Sequence, residues 1–557
     1  MNKRIVIVGG VAAGASCAAR ARRLSEESSI VVFERGPHVS FANCGLPYYL
    51  GGEIADRSKL LVQSPESLRA RFRLDVRTLH EVIAIDRENK TVRVLNKTTG
   101  DQFDEPYDDL VLAVGAAPIK PPLPGIDLPG NFVLRDISDM DAIHSWIANQ
   151  SATRAVVIGG GFIGLEVAEQ FRHRGLHVTL VESSPHVMPP IDVEMAALLH
   201  RELNEHGVEL ILGDAVSRFE TAAAGGVTVV TKSGRSATAD VVVLGMGVRP
   251  DLSLPKVAGL EIGKSGGLLV DENLRTSDPN IWAAGDCIEI TQPILGRPGL
   301  IPLAGPANRQ GRMIADNIFG GERTYSGTIG TAILKLFSLQ VACVGANERT
   351  LRASEISFEV AHLHPGSHAG YYPGASPIAL KLLFSKEDGK IFGAQAVGRD
   401  GVDKRIDVIA TAIRGGLTID DLAELELAYA PPFGSAKDPI NLAGMIAQNV
   451  RDGLVRMITP AELMQRADVT IVDVRDPKER ERGYIPQSIS LPLDQLRDRL
   501  GELPKDREVV VYCQSGQRSY NAARILMQNG YRCANLSGAF NTWSAAGGYV
   551  EQPGERQ

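Results

Sequence analysis

Two of the six cysteines stand where a thiolate could do chemistry. Cys513 follows the apolar run Val509-Val510-Val511-Tyr512 and opens Cys513-Gln514-Ser515-Gly516-Gln517-Arg518-Ser519, ahead of a stretch of helical period marked by Ala522 and Leu526. A strand that delivers a cysteine into a tight loop before a helix makes an anion cradle. Loop amides and the helix N-terminus point at the sulfur and stabilise a persulfide anion, and Arg518 closes the loop. Cys44 lies in Ser40-Phe41-Ala42-Asn43-Cys44-Gly45-Leu46-Pro47-Tyr48 with no second cysteine nearby. It is therefore expected to cycle through a mixed disulfide, a persulfide or a sulfenate and not an internal disulfide, its thiolate favoured by positive charge and helix-end dipoles. Cys17, Cys287, Cys343 and Cys533 read as small buried residues. With no CxxC pair, no zinc site and no other metal is expected.

Two glycine turns could cradle phosphates. Gly159-Gly160-Gly161-Phe162-Ile163-Gly164 is a G-x-G-x-x-G between an apolar run and a helical stretch. Gly159 allows the tight turn, Gly161 lets a pyrophosphate approach the backbone, and Gly164 lets helix and strand pack. Glu182, at the end of the next strand, would accept from an adenosine ribose and repel a 2′-phosphate, which favours NADH over NADPH. The N-terminal copy keeps Gly9 and Gly14 and the strand-end acid Glu34, with Val11 in the middle position. Thr276 to Asp286 ends in a Gly-Asp pair whose carboxylate could bond a flavin ribityl hydroxyl, and Gly115 and Gly247 end two further strands.

These four ordered motifs resemble the FAD-dependent pyridine nucleotide–disulfide oxidoreductases, from residue 1 to about 445. The resemblance implies FAD at the first turn, a nicotinamide cofactor at the second and a third domain that forms a homodimer. The cofactor-binding positions it implies are Gly9, Gly14, Glu34, Arg35, Asn43, Gly115, Asp286, Ala304, Gly159, Gly161, Gly164, Glu182 and Gly247. The lone Cys44 resembles the single-cysteine branch: coenzyme A-disulfide reductases, persulfide reductases, NADH oxidases and NADH peroxidases. His368 to Gly374 and Tyr429 to Pro439 look like the dimer-domain motifs of the coenzyme A-dependent members. There, tyrosines at the positions of Tyr371 (or Tyr372) and Tyr429 reach the partner's redox cysteine. The resemblance also implies coenzyme A contacts at Ser16, Arg20, Arg23, Ser40, Asn43, Asn308 and Lys437, with Arg20, Arg22 and Arg23 presenting cations to its phosphates. Coenzyme A is left open as substrate or resident molecule. The C-x-x-x-x-R spacing at Cys513, with Val472-Asp473-Val474-Arg475 and Gly483 to Ser488, resembles rhodaneses, in which this cysteine carries sulfane sulfur.

The elements that must position these residues read as an α/β chain of several domains. Residues 1–150 with 250–324 form an FAD-binding and 151–249 an NAD(H)-binding domain, each a doubly wound sheet opened by a βαβ unit. Residues 325–446 form an α+β dimerisation domain, in which Ile378, Leu380, Leu382 and Phe384 alternate on one strand face and a hairpin turns at Glu387-Asp388-Gly389. Residues 455–557 form a rhodanese-like α/β domain with a polar, frayed tail after Gly548. At 557 residues and net charge −7 the chain needs several cores and gives no support for a nucleic-acid partner. No run spans a membrane, and a cytoplasmic location is expected. The activity expected is NADH-dependent reduction of sulfur–sulfur bonds of coenzyme A persulfide, polysulfide or coenzyme A disulfide, with Cys44 the redox nucleophile and Cys513 the sulfane carrier. The alternatives are an NADH oxidase or peroxidase acting through a Cys44 sulfenate, and a sulfurtransferase whose flavin half senses redox state.

Overall fold

After Arg4, the run Ile5-Val6-Ile7-Val8 is apolar at successive positions, the pattern of a strand covered on both faces. In the computed structural model, which describes residues 2–223 and 225–552, it is the middle strand of a parallel sheet. The order is Ile281–Ala283, Asp109–Leu112, Arg4–Val8, Ser29–Glu34, Asp75–Thr78. The helix Ala12–Leu24 follows that middle strand. It lies so near the helix Ala304–Ile318 that a Cβ on Gly311 would stand 2.1 Å from the Ala13 carbonyl oxygen. The second βαβ unit is Arg154–Ile158, Phe162–His173 and His177–Glu182. Its parallel sheet runs Val208–Leu212, His177–Glu182, Arg154–Ile158, Val241–Leu244, Asn131–Phe132. Both sheets belong to one compact unit, Met1–Ser183 with Gly207–Gly330; the other comprises Ser184–His206 and Thr331–Gln557.

The second unit holds an antiparallel sheet in the order Ala332–Leu336, Leu339–Gly345, Ile391–Gly398, Ile378–Phe384, Glu359–Leu363. The expected hairpin is present. The expected one-sided alternation is not, because every residue of Ile378–Phe384 is buried. One of the buried side chains is Lys381, fully enclosed with Nζ 2.8 Å from Asp192, 2.7 Å from Glu348 and in contact with Glu194. Three carboxylates near enough to share a cation thus hold an ammonium. Glu194 also meets His362 Nε2 at 2.9 Å, and His362 Nδ1 lies 2.8 Å from the Ser537 hydroxyl, which ties this sheet to the C-terminal domain.

That domain is a parallel sheet ordered Arg456–Ile458, Cys533–Leu536, Glu508–Tyr512, Val469–Asp473, Ile489–Ser490. Its first helix, Pro460–Met464, starts from a capping box between Thr459 and Glu462. The tail expected to fray is partly tied down: Glu551 and Tyr484 exchange backbone hydrogen bonds of 2.9 and 3.0 Å, while residues 553–557 lie outside the described residues. No helix among the described residues is long and apolar enough to cross a membrane.

Candidate active sites

The two glycine turns share one geometry. Gly9 has φ +100° and Gly159 φ +101°. A Cβ on Gly14 would stand 1.8 Å from the Gly9 carbonyl oxygen, and one on Gly164 1.8 Å from that of Gly159, so both third glycines are steric requirements of helix–strand packing. A Cβ on Gly161 would meet nothing within 4 Å, the open space a pyrophosphate needs. In the first turn Val11 takes the middle place as N-cap of the helix at φ −102°, so no glycine is demanded there. The strand-end acids hold the turns: Glu34 accepts from Gly10 N at 2.9 Å and Gly36 N at 2.8 Å, and Glu182 from Gly160 N at 2.6 Å.

Asp286 and Gly285 line a pocket with Ile288, Leu303, Ala307 and Thr328, and burial pushes the Asp286 carboxyl up, with Arg135 opposing. Ala304 is the first residue of the helix Ala304–Ile318. Gly115 and Gly247 have φ +70° and +90°, and Arg35 pairs with Asp251 at 2.9 Å. Backbone N–H groups at two helix starts and a half-buried carboxylate in a pocket wall fit a flavin dinucleotide and a nicotinamide dinucleotide.

Cys44 is exposed, in the 3₁₀ turn Asn43–Gly45 that leads into the helix Leu46–Gly51. Asn43 is exposed beside it, and Ser40 turns the chain at φ +47°. The electrostatics depart from expectation. Packing around the thiol, then the carboxylates of Glu166 and Asp286, push its pKa up, and a backbone hydrogen bond in the turn opposes them. Glu166, two residues beyond Gly164, accepts from the Tyr48 hydroxyl at 3.2 Å, and burial pushes its carboxyl up to about 7. Sequence reading missed it; an acid in the first turn after the glycine motif was the available signal. Cys17, Cys287, Cys343 and Cys533 are buried, and burial pushes each thiol up to about 12, as expected of inert residues.

Tyr371 and Tyr429, 58 residues apart, come together with their hydroxyl oxygens at 3.1 Å. Both are exposed, at 77% and 48%, as are Tyr372 and Phe433, and Lys437 is exposed on the same segment as Tyr429. Ser16 Oγ donates to Asn308 Oδ1 at 2.5 Å, which joins two of the positions assigned to coenzyme A. The arginine cluster is a correction. Arg22 is buried, donating to the carbonyls of Phe72, Ser25, Glu26 and Arg73, and Arg20 is paired with Asp316 at 2.6 Å. Helical period turns Arg22 inward and leaves Arg23 exposed, with its guanidinium 5.4 Å from the centre of the Phe72 ring.

At the C-terminal loop, Cys513 is 1% exposed and its sulfur receives Gly516 N at 3.1 Å and the Ser519 hydroxyl at 3.5 Å. Gly516 caps the helix Gln517–Gln528 at φ +110°. Arg518, expected to close the loop, is held there by two carboxylates. Its Nη1 and Nη2 donate to the two Glu479 carboxylate oxygens at 2.6 and 2.7 Å, and Nη1 reaches Asp476 at 3.5 Å. Asp476 and Glu479 form the capping box of the helix Pro477–Arg480, which sequence reading missed, as it did the pairing with Arg518.

Three stretches match family models: residues 3–311 the pyridine nucleotide-disulphide oxidoreductase model, 331–439 the dimerisation domain of that family, and 459–546 the rhodanese-like domain. The chain is 38% identical over 449 residues to a coenzyme A disulfide reductase of Staphylococcus epidermidis, covering 80% of this chain and all of that one. The structure of reduced Bacillus anthracis CoADR-RHD is 49% identical with a TM-score of 0.96, over 98% of each chain. A NAD-dependent persulfide reductase from A. fulgidus is 39% identical with a TM-score of 0.92, over 97% of this chain and all of that one.

Proposed function

The chain belongs to the pyridine nucleotide-disulphide oxidoreductases and carries a rhodanese-like domain, and from that premise we propose that it is an NADH-dependent FAD enzyme reducing sulfur–sulfur bonds of coenzyme A persulfide, polysulfide or coenzyme A disulfide. The observation that carries the proposal is Cys44: an exposed thiol with no neighbouring cysteine, acted on by the same Asp286 that lines the flavin-type pocket. The fused persulfide-type loop favours persulfide over disulfide, since plain disulfide reduction has no use for a sulfane carrier. The relatives named for coenzyme A disulfide and persulfide reduction support the substrate class. Residues 1–150 and 250–324 are assigned to FAD, 151–249 to NAD(H), 325–446 to dimerisation and 455–557 to sulfur carriage.

In this reading the Gly9–Gly14 turn, Glu34 and Asp286 hold FAD, and the Gly159–Gly164 turn with Glu182 holds NADH. Glu182 disfavours a 2′-phosphate by charge. FAD, when bound, supplies electron transfer between nicotinamide and sulfur. Cys44, as thiolate, attacks the sulfur–sulfur bond and forms a mixed disulfide or persulfide. The Tyr371 and Tyr429 hydroxyls, in a homodimer, donate a hydrogen bond to the leaving thiolate. Ser16, Arg23, Asn43, Asn308 and Lys437 orient coenzyme A, and Cys513 receives sulfane sulfur and delivers it onward.

The test is anaerobic NADH consumption with coenzyme A persulfide, coenzyme A disulfide and polysulfide, with sulfide release recorded in parallel. Turnover with sulfide release, lost in Cys44→Ser, is the expected result. NADH consumption that begins only when oxygen or peroxide is admitted would refute it in favour of an oxidase.

A further inference from the structure

We propose that Glu479 sets the donor specificity of the Cys513 loop: by occupying Arg518 it selects thiol persulfides over the thiosulfate dianion as the source of sulfane sulfur. This rests on the reading of Cys513 as a sulfane carrier.

Arg518 is the one cation among the six loop residues Cys513 to Arg518. Both of its terminal nitrogens are spent on the Glu479 carboxylate, at 2.6 and 2.7 Å, a bidentate pair of the kind a tetrahedral oxyanion would otherwise claim. Glu479 is itself fixed, because its Oε2 also accepts Asp476 N at 3.1 Å in the cap of the short helix Pro477–Arg480. The neighbouring arginines are committed elsewhere. Arg475 is buried, bonded to Asp473, Gln514 Oε1 and the Gly483 carbonyl. Arg480 is bonded to Asp473, the Ser488 hydroxyl and the Ser488 carbonyl. The cation of the loop itself is thus already paired to two carboxylates, Glu479 and Asp476, and the arginines next to them are bonded to other groups.

A dianion entering this loop must displace Glu479 from the guanidinium and sit against the freed carboxylate, so the loop is built against it. The group of a thiol persulfide that enters the loop, –S–SH or –S–S⁻, carries one charge or none and needs no guanidinium. The donors that remain for its sulfur are the ones already on Cys513, Gly516 N and the Ser519 hydroxyl. The transfer is a displacement at sulfur: the Cys513 thiolate attacks the outer sulfur of R–S–S⁻ and a Cys513–sulfur bond forms. The S–S bond of the donor breaks, and R–S⁻ leaves with the electron pair; no external oxidant or reductant takes part. With thiosulfate the same step would expel sulfite, a dianion leaving a loop whose own cation is already held by Glu479 and Asp476.

The experiment measures kcat/KM for thiocyanate formation by the full chain, with cyanide as acceptor, from thiosulfate and from glutathione persulfide. Cys513→Ser serves as blank and the mass of the intact protein reports sulfur loading. The wild type should prefer the persulfide. Glu479→Gln should raise the thiosulfate-to-persulfide ratio roughly tenfold, the size of one charge-assisted hydrogen bond returned to the anion. Asp476→Asn, which leaves the Glu479–Arg518 pair in place, should raise it less. A wild type that prefers thiosulfate overturns the proposal. So does a Glu479→Gln variant that slows both donors equally, the mark of a residue that only shapes the loop. If Glu479→Gln is inactive with both, an unchanged ratio in Asp476→Asn overturns it. If neither donor loads Cys513 in the wild type, the carrier reading itself fails, and the proposal with it.

Discussion

Replacing Lys381 with methionine keeps the length and apolar stem of the side chain and removes one charge from a fully buried site. Three carboxylates then lose their common partner: Asp192, Glu194 and Glu348. Burial by itself raises the Glu194 pKa; the Lys381 charge and the His362 hydrogen bond outweigh it and hold that carboxyl well below the usual range. Burial likewise raises Glu348, and Lys381 again more than offsets it. Breaking a buried ion pair from one side costs about 3–5 kcal/mol. At about 2–4 °C per kcal/mol for a unit of this size, the thermal midpoint of the second unit should fall by roughly 6–20 °C at pH 8.

The pH dependence carries the sign. Carboxyls with depressed folded pKa values contribute stability that is present above their unfolded values of about 4.3 and lost as pH falls through the folded ones. In Lys381→Met the strongest opposing charge is gone and burial is met by the His362 bond to Glu194 and the Arg352 bond to Glu348; the folded pKa values rise, and where they pass the unfolded ones the variant loses stability as pH rises from about 5. The gap between wild type and variant should therefore widen from pH 5 to pH 8, read as thermal midpoints by circular dichroism or calorimetry. A gap of the same size at both pH values would show that lost packing, and not unpaired charge, is responsible, and would refute the electrostatic argument.

Gly14→Ala and Gly164→Ala each place a Cβ 1.8 Å from a backbone oxygen, so each should abolish one cofactor site, Gly14→Ala measured as flavin per chain and Gly164→Ala as NADH affinity. Retention of full occupancy in either would contradict the geometry. Because the Tyr371 and Tyr429 hydroxyls are 3.1 Å apart, Tyr371→Phe and Tyr429→Phe should be coupled by about 0.5–1.5 kcal/mol in a double-mutant cycle on kcat; simple additivity would mean that they act apart. Glu166, pushed up to about 7 by burial, is a carboxyl whose contribution is present below the unfolded value of about 4.3 and lost as pH rises through 7. Glu166→Gln should flatten the decline in thermal midpoint across that window, and an unaltered slope would place the carboxyl in water.

What the sequence determined by itself is the set of local devices. Strand, glycine turn and helix are adjacent in the chain, so the spacing of Gly159, Gly161, Gly164 and Glu182, or of Cys513 and Arg518, encodes a cradle directly. Even the weaker Gly9–Gly14 turn has the same shape as its twin, because only the outer glycines meet a backbone oxygen. Residue type could not say what a charged side chain would be paired with, since partners arrive from distant segments. Arg22 reads as a surface cation and is buried on four carbonyls; Arg518 reads as the residue that closes its loop, and the acid that holds it, Glu479, comes from 39 residues upstream. Lys381 sits in a run that alternates like a one-sided strand, yet three acids from two other segments enclose it. The meeting of Tyr371 with Tyr429 is of the same kind. Backbone geometry is a local property and can be read from neighbours, whereas the electrostatic environment of a side chain is a sum over the whole fold and exists only once tertiary packing has excluded water.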